Sequence, residues 1–338
     1  MNHVLVVRLD SDGDVLVTGP AIRAVAAGAN RVTLLCGPRG RQAAALLPGV
    51  DRLVPFRAAW IDPEPDPVEP AVVNALINEL AALGPDAAVI FTSFHQSALP
   101  TALLLRLAGI PWIGAISEDY PGSLLDIRHR VPDEIHEVER AQSLASACGF
   151  ELPAGDDGRL AVNRPGETPL ERPYVVVHPG ASVPARAWPA KLHAELVEQL
   201  LAAGRRVVVT GSPDERSLTA AVVGSSDAVD LGGETSLPEL ADVIAGADAI
   251  VVGNTGPAHL AAAVGTPVVS LFAPVVPAVR WRPWRVPHVL LGDQHAPCAG
   301  TRARACPVPG HPCLSSVSPA DVVAAVEKLA PVPEAIAL

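Results

Sequence analysis

Residues 3–20 read HVLVVRLDSDGDVLVTGP. The first seven are mostly apolar and β-branched, which predicts a buried strand over 3–9. Asp10, Ser11, Asp12 and Gly13 then supply turn chemistry, and the spacing predicts a helix within 14–28. Strand, polar Gly-containing turn and helix together form the opening of a βαβ unit.

The same unit recurs along the chain. Strands are expected at 31–36, 51–56, 86–92 and 111–116, and helices near 39–47, 71–83, 97–109 and 133–149. Residues 151–173 are rich in Gly, Pro and charge and read as a linker. The pattern restarts with strands at 174–178, 205–211, 248–253 and 266–272. Residues 227–233 lead into a helix at 236–246. Further helices are expected at 190–203, 214–223, near 257–264 and at 318–330, with a Pro- and Trp-rich segment after 272. Alternating β and α units predict an α/β fold with two Rossmann-like domains, 1–160 and 170–330. Ligands of such sheets bind at the carboxyl ends of the strands. The informative loops therefore follow strands 3–9, 174–178, 205–211 and 248–253.

The chain has 338 residues, 49% of them hydrophobic, and a formal net charge of −11. That charge argues against non-specific nucleic-acid binding and against a broadly basic membrane-docking surface. No run of 18 apolar residues lacks charges or prolines, so no membrane-spanning helix is expected. The N-terminus has neither a basic n-region nor a long apolar run, so no signal peptide is expected and the cytoplasm is the default. Five cysteines, an odd number, argue against a disulfide framework. Cys36 and Cys148 read as core. Cys298, Cys306 and Cys313, with His295 and His311, are spaced more widely than paired zinc ligands, so structural thiols are favoured over zinc.

In 8–20 the carboxylates have three readings. A calcium loop wants Gly at position 6 and Glu at 12; counted from Asp10, Gly13 falls at 4 and Ala21 at 12. A strand-to-helix turn capped by an Asp suits Asp10 and Asp12. Asp14, just after the glycine, could cap the helix or act as a general base. In 178–189, HPGASVPARAWP, small residues expose amides and Arg186 supplies a fixed charge, a pairing suited to phosphate or to a solvated loop. In 253–267, GNTGPAHLAAAVGTP, the turn feeds a helix N-terminus, a generic anion site, with His259 on its first turn. Glu215, after strand 205–211, suits ribose hydroxyls or a helix first turn. Trp281 and Trp284 offer faces for a sugar or for packing.

Taken together, these segments resemble glycosyltransferase family 9, the ADP-heptose:lipopolysaccharide heptosyltransferases and their relatives. VVRLDSDGDVLVTGPAIRAV is similar to that family's opening. HPGASVPARAWPAKLHAEL is similar to its HPGA…WP segment, LGGETSLPELADVIAGADAIVVGNTGPAHLAAAVGTPVVSLFAP to its most distinctive stretch, and CPVPGHPCLSSVSPADVV to its tail. The resemblance runs from about 3 to 330. It implies a GT-B fold, two Rossmann-like domains facing across a cleft, with the last helix crossing back to the first. It implies an inverting transfer with no metal and no cofactor. Domain 1–160 would bind the acceptor and domain 170–330 the nucleotide-sugar. Asp14 takes the position of the catalytic base. His178, Gly180, Ser182, Arg186, Glu215, Asn254, Thr255, Gly256 and His259 take the donor-binding positions, with helix N-termini after PGAS and NTGP turned to the diphosphate. Arg57, Arg128 and Arg130 are the candidate acceptor-binding cations.

The implied partners are an ADP-sugar donor and a glycan, lipid-linked glycan or small-molecule acceptor. Nucleic acid is excluded, and membrane contact is at most peripheral. The sequence departs from the family at Asn254, where Asp is common, at Asp12, commonly small and apolar, and in the acidic segment 57–70. A GT-B-fold sugar-nucleotide epimerase or hydrolase is the alternative reading. A two-domain binding protein of the periplasmic type is disfavoured by the Gly-Asp turn and the absence of a signal peptide.

Overall fold

The computed structural model describes residues 1–164 and 166–331. β1 (His3–Arg8) is buried along its whole length, as its continuous apolar run requires for a central parallel strand. It pairs in parallel with β2 (Arg31–Cys36) and β4 (Ala87–Ile90), Val6 lying between Leu34 and Val89. β3 (Arg52–Pro55), β5 (Ile113–Ile116) and β6 (Ile127–His129) complete a six-stranded sheet of order β3-β2-β1-β4-β5-β6. Helices α1 (Asp12–Ala27), α2 (Arg41–Leu46), α3 (Pro70–Leu83), α4 (Leu99–Leu107) and α5 (Glu137–Ala147) cover it.

A second sheet repeats this order. Its strands are β7 (Val175–His178), β8 (Val207–Gly211), β9 (Val229–Gly232), β10 (Ala249–Gly253), β11 (Val268–Leu271) and β12 (His288–Leu291). They lie in the order β12-β11-β10-β7-β8-β9, all parallel. The helices are α6 (Ala190–Ala202), α7 (Arg216–Val223), α8 (Leu237–Gly246), α9 (Gly256–Val264), the short α10 (Ala278–Trp281) and α11 (Pro312–Ser315), and α12 (Pro319–Leu329). The chain divides into two compact units, Met1–Asn163 and Arg164–Leu338. In each, the fourth strand lies beside the first and the chain reverses its direction of growth there. This is the doubly wound topology, whose ligand position is that switch point.

β6 and β12 were not expected. Both are sheet edges and short, and IRH and HVLL are only half-buried, so neither carries a long apolar run. α12 packs on α6 and on β10, β11 and β12. Arg205, buried before β8, grips Glu327 of α12 through its Nε (3.1 Å) and NH2 (2.9 Å).

Each unit has its own core. In the first, Leu5, Val7, Leu35 and Ile90 meet Leu76, Leu80 and Leu105 from α3 and α4. In the second, Val175, Val177, Val209 and Val251 meet Leu196 and Leu200 of α6 and Val322 and Val326 of α12. α6 also buries His193, 1% exposed, edge-on to Trp188 with ring centroids 4.7 Å apart. Trp188 is fixed by donating its indole N–H to the carbonyls of Leu314 and Val317.

Burial, with His178 nearby, pushes the His193 imidazole down to about 3. The unfolded chain therefore takes up a proton near pH 6.5 that the folded chain refuses. This contribution to stability is complete above pH 6.5 and is lost as the pH falls toward 3, at up to about 1.4 kcal/mol per pH unit. Thermal unfolding at pH 7.5 and pH 5 is expected to show this loss, and His193→Phe is expected to flatten it. An unchanged pH slope in that variant would remove His193 as its source.

Candidate functional site

At the switch point of the first sheet, the loops after β1 and β4 meet around a buried cation. Arg8 ends β1 and is 2% exposed. Its NH2 donates to Asp14 Oδ1 (3.0 Å) and to Ser93 Oγ (2.9 Å), and its Nε is ion-paired with Asp10 Oδ2 at 3.1 Å. Ser93 Oγ also donates to Asp14 Oδ1 (3.2 Å). The other oxygen of Asp14 accepts from Ser11 Oγ (2.6 Å) and from the Ser11 N–H (3.3 Å). Gln96 closes the network by donating to Asp10 Oδ1. Asp14 lies in the first turn of α1, where the helix dipole favours the ionised carboxylate.

The three carboxylates of 8–20 therefore diverge. Asp10 balances Arg8; burial, with Asp14 beside it, pushes its carboxyl up to about 6 against the pull of Arg8. Asp12 turns away and accepts the Ala43 N–H at 2.9 Å, capping α2. Burial raises its pKa. This pairing accounts for a carboxylate at 12, since α2 needs an acceptor there. Gly37 lets the loop after β2 pass beneath, because a Cβ would lie 2.2 Å from the Leu9 carbonyl oxygen. Among the described residues no group of three or more His, Cys, Asp or Glu side chains is placed to hold a metal ion.

The switch point of the second sheet lies between β7 and β10. His178 ends β7, and its Nδ1 meets Thr210 Oγ1 at 2.9 Å. Burial lowers its pKa, against the nearby Glu215 carboxylate. Glu215 accepts the Ser212 N–H at 2.8 Å and lies flat over Gly180, where a Cβ would come within 2.1 Å of its Oε1. Gly180 is thus required by the carboxylate above it. Ser182 is exposed in the same loop.

No helix starts directly after PGAS. A short turn, Pro184–Arg186, intervenes, and α6 begins at Ala190. The helix expected at 190–203 is α6, and the PGAS loop with Arg186 precedes it. Arg186 NH1 donates to the Asn254 carbonyl at 3.3 Å, tying the two loops across the switch point. The NTGP turn does start a helix. Thr255 is the N-cap of α9 and Gly256 its first residue. His259, buried in the first turns, lies with its ring centroid 6.2 Å from that of Trp281.

Asn254, a candidate donor-binding residue, also holds a neighbouring loop. It is 6% exposed, its amide donates to the Ala273 carbonyl (3.2 Å), and its Oδ1 accepts the Ala273 N–H (3.1 Å). The side chain braces the loops after β10 and β11, while the backbone carbonyl accepts from Arg186. Both bonds suit an amide, as a carboxylate cannot donate to a carbonyl.

The proposed acceptor cations do not form one cluster. Arg57 follows β3 and is held by Asp62 (2.7 Å) and Asp66 (3.0 Å) of the acidic segment 57–70. Arg128 lies on β6 and donates to the carbonyls of Ser117 and Glu118. Arg130 follows β6 and is exposed. β3 and β6 are opposite edges of one six-stranded sheet, so five strand spacings separate them by roughly 24 Å. Grouping these three by charge alone ignored strand order.

Arg8, Ser93, Gln96 and Thr210 were missed. Arg8 carried a signal: a charge inside a run otherwise apolar marks a buried, partnered cation. The others are brought in from distant strands. Cys298 and Cys313 are both buried in the second core, as expected of structural thiols. Burial and the neighbouring Cys298 push the Cys313 thiol up to about 11. Trp284 is 8% exposed with the Arg285 guanidinium 5.1 Å from its ring, so it packs.

The model of the family described as glycosyltransferase family 9 (heptosyltransferase) matches residues 86–311. Lipopolysaccharide heptosyltransferase 3 of Escherichia coli is 33% identical over 166 residues, spanning 47% of each chain. Thus the chain spans about half the length of that relative. Lipopolysaccharide heptosyltransferase 1 of Salmonella typhimurium is 28% identical over 82% of this chain and 90% of its own. Among solved structures, a family 9 glycosyl transferase of Veillonella parvula superposes with a TM-score of 0.77 at 17% identity, covering 97% of both chains. E. coli ADP-heptose lps heptosyltransferase II superposes with a TM-score of 0.74 at 22% identity, covering 97% of this chain and 98% of that one. The fold is the α/β GT-B fold of these structures.

If Asn254 is a brace, Asn254→Ala leaves the buried N–H and carbonyl of Ala273 unpaired. A loss of about 1–3 kcal/mol of stability is expected, measured by urea unfolding. Full stability in the variant would return Asn254 to a purely ligand-facing role.

Proposed function

The chain belongs to glycosyltransferase family 9, and we propose that it moves a heptose or related sugar from an ADP-sugar to a hydroxyl of a glycan acceptor, with inversion and without a metal. Lipopolysaccharide core is the acceptor class suggested by the names of its relatives. Another glycan or a metabolite of low negative charge fits Arg57, whose charge is already paired with Asp62 and Asp66. An ADP-sugar donor would put the enzyme's work in the cytoplasm. No helix among the described residues is long and apolar enough to cross a membrane.

One observation carries the reading. Asp14 is held at a strand-end switch point by Arg8, Ser93 and Ser11 and is only partly covered. In the proposed step Asp14 takes the proton of the acceptor hydroxyl as its oxygen attacks the anomeric carbon. The bond to the diphosphate breaks and the electron pair leaves with ADP. Arg186, the loop amides of 180–182 and the N-terminus of α9 at Thr255 and Gly256 would receive that charge. Glu215, lying over Gly180, is assigned to the ribose hydroxyls, and His259 to a phosphate oxygen. Unit Met1–Asn163 is assigned to the acceptor and Arg164–Leu338 to the nucleotide-sugar.

Asp14→Asn is expected to keep the fold and ADP affinity while lowering kcat at least about a hundredfold. Turnover at the wild-type rate would remove Asp14 as the base, and donor consumption without acceptor would favour an epimerase or hydrolase.

In the second unit, Arg186→Ala is expected to weaken ADP binding by about 1.5–3 kcal/mol, the range for a charge-assisted hydrogen bond. Adenosine binding should hardly change. Calorimetry with both ligands decides it: equal weakening would mean that Arg186 serves the Asn254 loop and not the diphosphate.

A further inference from the structure

We propose that Arg8 is a positioning residue for the transfer, its buried guanidinium holding the Asp14 carboxylate ionised and in one orientation, with Ser93 fixing the same oxygen. This rests on the reading of Asp14 as the base.

The position itself is unusual. Arg8 continues the fully buried strand Val4–Val7 and is itself 2% exposed. An apolar residue would fill the same place without the cost of burying a charge, and a buried charge persists where its partners compensate it. Asp10 alone would compensate it, through Nε at 3.1 Å. Yet the guanidinium turns its NH2 away from Asp10, to Asp14 Oδ1 at 3.0 Å and to Ser93 Oγ at 2.9 Å. Ser93 then donates to the same Oδ1. One planar fork thus links the loop after β1, the first turn of α1 and the loop after β4. Its rigidity suits orientation of a carboxylate better than an ammonium would.

Several charged groups surround this pair. Asp10 and Asp14 come from the β1–α1 turn, and Glu137 and Arg140 from α5, where they line a cavity of ≈ 10 Å³ together with Arg8 and Thr92. Arg39, after β2, acts on Asp10 and Asp12. Asp10, Asp14 and Glu137 raise the Arg8 pKa against its burial. Removing the Arg8 charge leaves Asp14 beside Asp10 without the guanidinium between them, and like charges favour the protonated carboxyl. The base would then be lost at a pH where the wild type retains it.

The test is the pH profile of kcat/KM with ADP-heptose and an acceptor glycan. Arg8→Gln is expected to move the acidic limb upward by about one pH unit or more. Arg8→Lys keeps the charge but loses the planar fork that spans Asp10, Asp14 and Ser93. It should leave the limb in place and lower kcat about tenfold. Ser93→Ala should lower kcat several-fold with KM for donor unchanged. In an Asp14→Asn background, Arg8→Lys should have no further effect on residual turnover.

Wild-type limb and kcat in Arg8→Gln and Ser93→Ala would overturn the proposal. If Arg8→Gln fails to fold, wild-type kcat in both Arg8→Lys and Ser93→Ala overturns it equally. An inactive Asp14→Asn beside a silent Arg8 series would fail this inference alone, whereas an active Asp14→Asn would fail the base reading beneath it.

Discussion

A parallel sheet laid down in the order 3-2-1-4-5-6 has one seam that no crossover covers. The chain grows from its first strand toward one edge, then returns to place the fourth strand on the other side. At that seam two loops leave adjacent strands in opposite directions and open a crevice between them. This chain builds the seam twice, between β1 and β4 and between β7 and β10. Each candidate for chemistry with convergent partners lies at one of the two. The constraint is topological, so it holds whatever residues fill the loops, and the residues then decide what each seam can do.

The two seams are held by different means. Between β1 and β4 the brace is ionic: Arg8 joins Asp10, Asp14 and Ser93. Between β7 and β10 it is carbonyl-directed: Arg186 reaches the Asn254 carbonyl, and Asn254 clamps the backbone of Ala273. The second seam brings the Arg186 guanidinium and the Glu215 carboxylate, which lies over Gly180, to the ends of adjacent strands. The first seam carries two carboxylates against one guanidinium, suited to accepting a proton.

The sheets were legible because a fully buried parallel strand writes itself as a continuous apolar run. VLVV, VVV and AIVV could be placed without any tertiary information. β6 and β12 could not, because edge strands bury little. Within the sites, sequence revealed which loops matter but not which atoms meet. Asp12 and Asp14 are two residues apart and chemically identical, yet one caps α2 and the other faces Arg8. The difference is set by Ala43 and Ser93, contributed from 31 and 79 residues away. Asn254 looked like a changed ligand contact because its partner, Ala273, is a backbone group with no signature in sequence.

Arg57, Arg128 and Arg130 show the same limit in reverse. Counting cations near strand ends suggested an anion-binding patch, but a patch requires proximity and unspent charge. Strand order puts the first at one sheet edge and the others at the opposite one. Arg57 is neutralised by the acidic segment that follows it, and the Arg128 guanidinium is tied to backbone carbonyls. A multiply anionic acceptor gains little from a cation paired as Arg57 is, because an exposed ion pair has already given up most of its long-range field. Under the function proposed above, acceptor recognition would fall to shape and neutral hydrogen bonds around the Asp14 loop more than to charge, and the acidic 57–70 segment would disfavour the anionic acceptors that a basic segment there would attract.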